Sequence, residues 1–369
     1  MERVGRLLFL WVLACYECIA KVQGQVAQQQ FSLQIPRVTI DELAKNSTLK
    51  TGLHAYVLSG FAQQWNAVNW TLDYLTKKIP FEWVDYYPKN MDDVGSKPYL
   101  FKFDRAVQEF QDPKEIPTQL PKYMQIRLSL RGWKRLKKDF TPKPLPDVFW
   151  DDDEWISQCM RKDNQVDKLA INNFFVTNQW KFLLIGEKGT TMFFHKDGTA
   201  ASTWQVQLVG KKRWTLCPNT ESRYLDPHLD TYNPDYEKFP QFAKAQCGQV
   251  TVSPGELLYY PAYWWHHTLQ LETPSISYTG ALVGVEADRF DLGGDRKPHM
   301  QFYADLQQKC AKCWSKGVKE RQCDDISTKW AGAAPPPLRV VCDEYLPQCL
   351  HLWSEHAKAL HGASQKSEL

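Results

Sequence analysis

The chain has 369 residues, of which 43% are hydrophobic and 24% charged, so it is long enough for a buried core and additions to it. Its formal net charge of +3 argues against a nucleic-acid partner, and no basic run is typical of a nuclear signal. After the first 24 residues, no segment of the sequence is apolar enough to anchor the chain in a membrane.

Residues 1–24 have the pattern of a secretory signal peptide. Arg3 precedes an apolar run at residues 7–15, which is too short to cross a bilayer. Small residues follow at Ala20 and Gly24, and we expect cleavage near one of them. The alternative is a buried N-terminal helix.

Residues 25–140 are expected to form an α/β lead-in. The stretch 52–60 predicts an early strand, and Thr71 is the expected N-cap of a following helix. Two glycosylation sequons begin at Asn46 and Asn69. Such sequons are used only in the secretory pathway, so they agree with the signal peptide.

Two short motifs within residues 141–290 carry the strongest functional signal. His195 and Asp197 are two positions apart, so on a strand their side chains face the same way. A second imidazole, His266, follows about 70 residues later in a run of aromatic residues. Two imidazoles and one carboxylate form the facial triad that holds non-haem Fe(II).

The sequence around both motifs predicts β-strands joined by tight turns. Gly-rich residues 186–189 and the Pro-Gly pair at 254–255 are the expected turns. Apolar runs and apolar–polar alternation predict the strands between them, with 201–210 half-buried. The predicted strands are 180–186, 201–210, one that opens at Lys211, and 257–260.

In combination, these motifs resemble the Jumonji-C (cupin-like) Fe(II)/2-oxoglutarate oxygenases, over roughly residues 50–285. The resemblance rests on Gly-Lys-Lys-Arg-Trp at 210–214 and on the run from Pro254 to His267. Residues 233–240 are similar to the asparaginyl hydroxylase of hypoxia-inducible factor, whereas the spacing from His195 to Lys212 is similar to the Jumonji lysyl hydroxylases. The resemblance implies a mainly β fold, with a double-stranded β-helix (jelly roll) at 141–290.

The resemblance also implies roles for individual residues. His195, Asp197 and His266 would ligate Fe(II), and His267 would point away from the metal and be structural. Lys212 would bind the distal carboxylate of 2-oxoglutarate; the alternative is an ordinary surface lysine. The other expected contacts to this cosubstrate are Thr279, Thr191 and Gln205.

Two positions depart from the family pattern. Met192 stands where the family often has a threonine that binds the cosubstrate, and Gln205 stands where the lysyl hydroxylases have asparagine. Either the cosubstrate contacts are redistributed or the activity is altered.

Three aromatic residues near the motifs would suit a dry pocket, although core packing is the favoured interpretation. They are Phe194, Trp204 and Tyr263.

Residues 291–369 are expected to form a helical, Cys-rich extension. Five cysteines lie after residue 309, and we expect disulfides there in an oxidising lumen. A zinc site and a redox-active Cys310–Cys313 pair are the alternatives.

The final Lys366-Ser367-Glu368-Leu369 resembles a Lys-Asp-Glu-Leu retrieval signal. This signal predicts a retrieval receptor as partner and residence in the endoplasmic reticulum lumen.

These patterns together predict an Fe(II)- and 2-oxoglutarate-dependent oxygenase that hydroxylates side chains of proteins in the secretory pathway. The expected partner is a protein substrate, with no nucleic acid and no membrane anchor. One alternative is a catalytically inactive luminal cupin that binds a partner or glycan. Another is a protein demethylase. The sequence does not determine the oligomeric state.

Overall fold

The computed structural model describes residues 31–49, 52–88, 97–114, 121–141, 159–177, 180–197, 201–282 and Tyr345. The expected signal peptide, the C-terminal extension apart from Tyr345, and the retrieval signal lie outside these residues. Across the described ranges, no helix is both long and apolar enough to cross a bilayer.

Strands dominate the described residues, which confirms the predicted mainly β class. In chain order they are β1 (Arg37–Val38), β2 (Tyr56–Leu58), β3 (Trp83–Tyr87), β4 (Tyr99–Lys102), β5 (Tyr123–Arg127), β6 (Arg161–Lys162), β7 (Gln165–Val166), β8 (Lys181–Gly186), β9 (Thr191–His195), β10 (Ser202–Val209), β11 (Lys212–Cys217), β12 (Gly248–Val252), β13 (Leu257–Tyr260), β14 (Trp265–Gln270) and β15 (Ser275–Leu282).

The strands form two main sheets that face each other. The large sheet has the order β1-β2-β13-β10-β15-β8-β5-β3-β4, and the small sheet has the order β12-β11-β14-β9. A separate hairpin consists of β6 and β7. The two facing sheets form the expected jelly roll.

Helices accompany the large sheet, and two of them begin at capping signals that the sequence shows. Thr71 accepts a hydrogen bond from Tyr74 N, as predicted for the helix that follows it. Thr39 and Glu42 form a capping box at an earlier helix. The helices are α1 (Ile40–Lys45), α2 (Leu72–Lys78), α3 (Phe103–Gln111), α4 (Leu130–Leu136) and α5 (Lys168–Thr177), with 3-10 turns at Asn66–Asn69, Lys137–Asp139, Asn219–Tyr224 and Pro240–Lys244.

The lead-in and the jelly roll share one sheet. Strand β5 pairs antiparallel with β8, from Tyr123 opposite Gly186 to Arg127 opposite Phe182. The large sheet therefore runs across the boundary expected at residue 140. The sequence does not predict that one sheet spans both regions, because strand pairing depends on contacts between segments that are distant in the chain.

The large sheet is buried on both faces. Trp204, Val206 and Leu208 of β10 belong to the main apolar core together with residues of the helices. The alternate residues Gln205 and Gln207 are also buried, at 3% and 1% exposure, between the two sheets. The prediction of a half-buried strand at 201–210 was therefore wrong, because the small sheet covers the polar face that alternation assigned to solvent.

Three described cysteines are in disulfide bonds. Cys217 at the end of β11 is bonded to Cys247 just before β12, a pairing that the sequence analysis did not predict. Cys159 is also disulfide-bonded. Near it, the hydroxyl of the buried Tyr345 donates to Asp167 Oδ2 at 2.6 Å.

Candidate metal centre

The triad residues come from two strands of the small sheet. His195 ends β9 and pairs directly with His266 of β14. Asp197 follows β9 by two residues, on the same side as His195. One ligand atom from each residue lies within 4.8 Å of the others. The structure thus brings together the three residues that the sequence analysis selected as iron ligands.

Both imidazoles are oriented by backbone carbonyls. His195 Nδ1 lies 2.7 Å from Phe193 O, and His266 Nδ1 lies 3.0 Å from Trp264 O. A carbonyl only accepts hydrogen bonds, so each Nδ1 carries the proton. Each Nε2 lone pair is then available to a metal, which is the usual outer-shell arrangement of ligand histidines.

The protonation state of His195 suits metal binding. Desolvation lowers its pKa to about 4, and the nearby His266 acts in the same direction, against the opposing effect of Asp197. The imidazole is therefore neutral at physiological pH. A metal can bind without first displacing a proton from the ring.

Two hydroxyl groups orient the carboxylate of the triad. Thr203 Oγ1 donates to Asp197 Oδ2 at 3.2 Å, from strand β10 of the opposite sheet. The Tyr260 hydroxyl is also hydrogen-bonded to Asp197. Burial raises the pKa of Tyr260 well above its usual value, and the negative charge of Asp197 raises it further. Tyr260 is therefore a neutral hydrogen-bond donor.

Aromatic rings surround the two imidazoles. The ring of Phe193 lies 4.8 Å from that of His195, and Tyr260 lies 4.8 Å from His266. Trp214 lies 6.1 Å from His266. The three aromatics named from the sequence lie elsewhere, in apolar clusters, as the favoured interpretation held. Phe194 packs behind the small sheet, whereas Trp204 and Tyr263 pack on the helical side of the large sheet.

Lys212 extends from the small sheet into the space between the sheets. Its Nζ donates to Gln205 Oε1 at 2.9 Å and to Ser277 Oγ at 2.6 Å. The residue is 1% exposed, and burial lowers the pKa of its ammonium group to about 7. Among the described residues, no carboxylate forms an ion pair with it. Lys212 is therefore not the surface lysine of the alternative interpretation.

Gln205 and Thr279 form part of the same network. Gln205 Nε2 donates to Thr279 Oγ1 at 2.5 Å, because the two residues face each other across β10 and β15. The sequence analysis missed Ser277, the second partner of Lys212. Its signal was present, since Ser277 lies two positions before Thr279 and therefore on the same face of the strand.

A bulge decides which residue of β9 faces the site. His195 pairs with His266, but Met192 pairs with Thr268, so β9 has one extra residue between these pairs. Met192 consequently faces the same way as His195, and Gln125 Nε2 contacts its sulfur at 3.5 Å. Thr191 pairs with Leu269 on the opposite face, so the structure does not bring this expected cosubstrate contact to the site.

The interior near Lys212 also holds unpaired donors. Tyr123 is fully buried, and its hydroxyl has no partner among the described residues. The buried hydroxyl of Thr268 is likewise unpaired there. Buried polar groups normally find partners, so these donors and the buried cation fit a small anionic guest. The triad and these buried groups together fit a divalent metal and a dicarboxylate.

Comparison with known proteins agrees with this geometry. Residues 56–279, more than half of the chain, match the family described as the cupin-like domain. The chain belongs to the cupin-like (Jumonji-C) family. The Jumonji members of this family are oxygenases that use Fe(II) and 2-oxoglutarate, the two cofactors expected from the sequence.

Three relatives show how far the similarity extends. HSPB1-associated protein 1 of Homo sapiens is 35% identical over 108 residues, covering 26% of this chain and 22% of that protein. Lysine-specific demethylase JMJ21 of Arabidopsis thaliana is 26% identical over 269 residues, covering 68% and 25%. Lysine-specific demethylase 8 of Xenopus tropicalis is 27% identical over 124 residues, covering 31% and 25%. The chain thus spans about a quarter of the length of these relatives.

Proposed function

We propose that the protein is an Fe(II)- and 2-oxoglutarate-dependent oxygenase that hydroxylates side chains of proteins in the secretory pathway. The observation that carries the proposal is the convergence of His195, Asp197 and His266 beside a buried lysine that has no carboxylate partner among the described residues. The two histidines and the aspartate would hold the metal, and Lys212 would hold the distal carboxylate of the cosubstrate.

Iron, when bound, would supply the oxidation of a C–H bond by dioxygen, coupled to decarboxylation of 2-oxoglutarate to succinate and carbon dioxide. The chain's own residues prepare the site for this chemistry. Gln205 and Ser277 hold the ammonium group of Lys212 in place. Thr203 fixes the orientation of Asp197, and the rings of Phe193 and Tyr260 help to exclude water from the metal centre.

Turnover of the cosubstrate tests the reaction type. Purified protein with Fe(II) and 2-oxoglutarate should release succinate, and the rate should rise when a substrate protein is present. Mass spectrometry of luminal proteins, from cells with active or His195→Ala protein, should then find peptides 16 Da heavier only with the active form. Absence of both signals would contradict the proposal.

Demethylation is the second candidate reaction. Two of the relatives above are named lysine-specific demethylases, and one of them aligns with 68% of this chain. Hydroxylation of a methyl group on nitrogen uses the same metal and cosubstrate, and the product then loses formaldehyde. Formaldehyde release from methylated luminal proteins would favour this reaction over stable hydroxylation.

An inactive cupin that binds a partner or glycan is the third candidate, and Met192 is the residue that favours it. This residue takes an inward position where the family often has a threonine hydroxyl. The thioether accepts only weakly and donates nothing. Tyr123 and Thr268 offer donors elsewhere in the same interior, so the pocket keeps the means to bind an anion. A binding measurement with 2-oxoglutarate distinguishes a site that still takes the cosubstrate from an inactive cupin that has lost it.

Residence in the endoplasmic reticulum lumen is part of the proposal. Two features of the described residues support it. The Cys217–Cys247 bond and the bonded Cys159 are typical of an oxidising compartment. In addition, Asn46 and Asn69 are both exposed, as glycan acceptors must be.

Glycosylation gives a direct test of the compartment. We expect the protein from its native cells to migrate faster on a gel after treatment with an N-glycosidase. The double variant Asn46→Gln/Asn69→Gln should show no such shift, because both sequons are then lost. A parent protein that carries no glycan and has free thiols at Cys217 and Cys247 would contradict the luminal assignment.

The lowered pKa of Lys212 predicts a pH dependence of cosubstrate binding. Only the protonated amine attracts a carboxylate, and in the free protein its pKa is about 7. Binding above that pH must take up a proton, so 2-oxoglutarate affinity should fall by up to about tenfold per pH unit between pH 7 and 9. Calorimetric titration at several pH values measures this slope. Lys212→Arg stays charged throughout, so its affinity, although lower, should lack the slope.

A further inference from the structure

A disulfide-closed segment covers the outer face of the small sheet, behind the metal centre. We name residues 218–246 the cap segment. It connects β11 to β12, and the Cys217–Cys247 bond closes it at its base. Its side chains Leu229 and Phe242 form an apolar cluster with Trp265 of β14. The cap segment therefore packs on the face of β14 opposite the triad.

The cap segment is hydrogen-bonded to both neighbours of His266 in the chain. On one side, Trp265 Nε1 donates to Ser222 Oγ at 2.8 Å. On the other side, Thr231 Oγ1 lies 2.8 Å from His267 Nδ1, and Thr231 N lies 3.3 Å from the same atom. His266 thus stands between two residues that the cap segment holds.

The contact between Thr231 and His267 is shielded from water and linked to the rest of the sheet. Thr231 and His267 are 1% and 3% exposed. The Thr231 hydroxyl is also hydrogen-bonded to Thr215 of β11 at 2.9 Å. The ring of Phe194, the residue before the other histidine of the triad, lies 5.1 Å from that of Trp265. The same cluster therefore reaches the strands of both histidines.

We propose that the cap segment positions His266 for metal binding, with Ser222 and Thr231 as positioning residues that act through Trp265 and His267. The proposal rests on the proposed function, because it presupposes a metal at the triad. The bond from His266 Nδ1 to Trp264 O fixes the ring relative to its own strand. The contacts of the cap segment fix the strand itself, so the two together set where Nε2 lies.

Cobalt binding measures this role without relying on turnover. The full chain, purified without metal, is titrated with Co(II), and the affinity and the visible absorption spectrum are recorded. We expect Thr231→Val to weaken Co(II) binding by roughly 10- to 100-fold, the usual loss for an outer-shell contact. Its spectrum at saturation should also change, because the ligand geometry changes. Thr231→Ser, which restores the hydroxyl, should recover both properties.

Ser222→Ala provides a milder variant in case Thr231→Val folds poorly. Ser222 is only half-buried, so its loss should weaken Co(II) binding in the same direction while the metal-free Tm stays close to that of the parent. Asp235→Ala is the matched control. Asp235 lies in the cap segment but accepts hydrogen bonds from Glu237 N and Lys238 N, both at 3.0 Å and both internal to the segment.

The outcomes separate this inference from the proposed function. Parent-like Co(II) binding by Thr231→Val and Ser222→Ala would overturn the positioning role and leave the triad standing. An equal loss in Asp235→Ala would overturn it too, because general loosening of the segment would then explain the effect. A parent protein that binds no Co(II) would overturn both the inference and the metal centre.

Discussion

Replacing either His195 or Asp197 with alanine is expected to abolish iron-dependent turnover of 2-oxoglutarate. Each residue supplies one of three ligand atoms that lie within 4.8 Å of one another. Loss of an outer-shell partner alone costs roughly 10- to 100-fold in metal affinity or activity, so loss of a ligand should cost more than about 100-fold. Succinate release under saturating 2-oxoglutarate, together with titration of Fe(II) under anaerobic conditions, measures both consequences.

The matched control for this experiment is His54→Ala. His54 is exposed and precedes β2, so its replacement removes an imidazole without disturbing the metal centre. Its turnover should equal that of the parent. Full turnover in His195→Ala or Asp197→Ala would show that the triad is not the metal site.

Lys212→Ala is expected to weaken 2-oxoglutarate binding by roughly 10- to 100-fold and to leave Fe(II) affinity unchanged. A hydrogen bond to a charged group contributes about 1.5–3 kcal/mol, and each 1.4 kcal/mol is tenfold in affinity. The ammonium of Lys212 contacts Gln205 and Ser277 rather than the triad, so the metal should not sense its loss. Calorimetric titration with the cosubstrate and with the metal separates the two effects.

Lys211 offers a control one position away. Its Nζ lies 3.4 Å from Glu272 Oε1, and both side chains are 49% exposed, so this ion pair contributes little. Lys211→Ala should bind 2-oxoglutarate as the parent does. If the two variants lose the same affinity, the direction of this strand has been misassigned.

Lys212 should favour binding of the cosubstrate but lower the stability of the ligand-free protein. A buried cation without a carboxylate partner is costly to the folded state. Lys212→Met keeps the apolar stem, so it should raise the free energy of unfolding of the ligand-free protein by about 1–4 kcal/mol while it loses the cosubstrate. Thermal unfolding measures both effects: without ligand the variant should have the higher Tm, and 2-oxoglutarate should raise the Tm of the parent only. Destabilisation of the ligand-free protein would argue that the lysine is structural.

The sequence by itself determined the class of the fold and the residues at the metal centre. Strand periodicity and turn residues predicted β8, β13 and the start of β11, and Thr71 was predicted as a helix N-cap. The two-residue spacing of His195 and Asp197 predicted a shared face. These signals are local, because they depend on the two-residue repeat of a strand and on the hydrogen bonds of a helix end.

Only the tertiary structure decided how these elements meet. The bulge in β9 turns Met192 toward the site and leaves Thr191 on the other face, because pairing with β14 sets the register. Likewise, Lys212 finds Gln205 and Ser277 because the small sheet faces the large one. The cap segment reaches Trp265 and His267 because residues 218–246 fold back over β14. Such contacts join residues distant in sequence, and local periodicity carries no information about which segments pair or in which register.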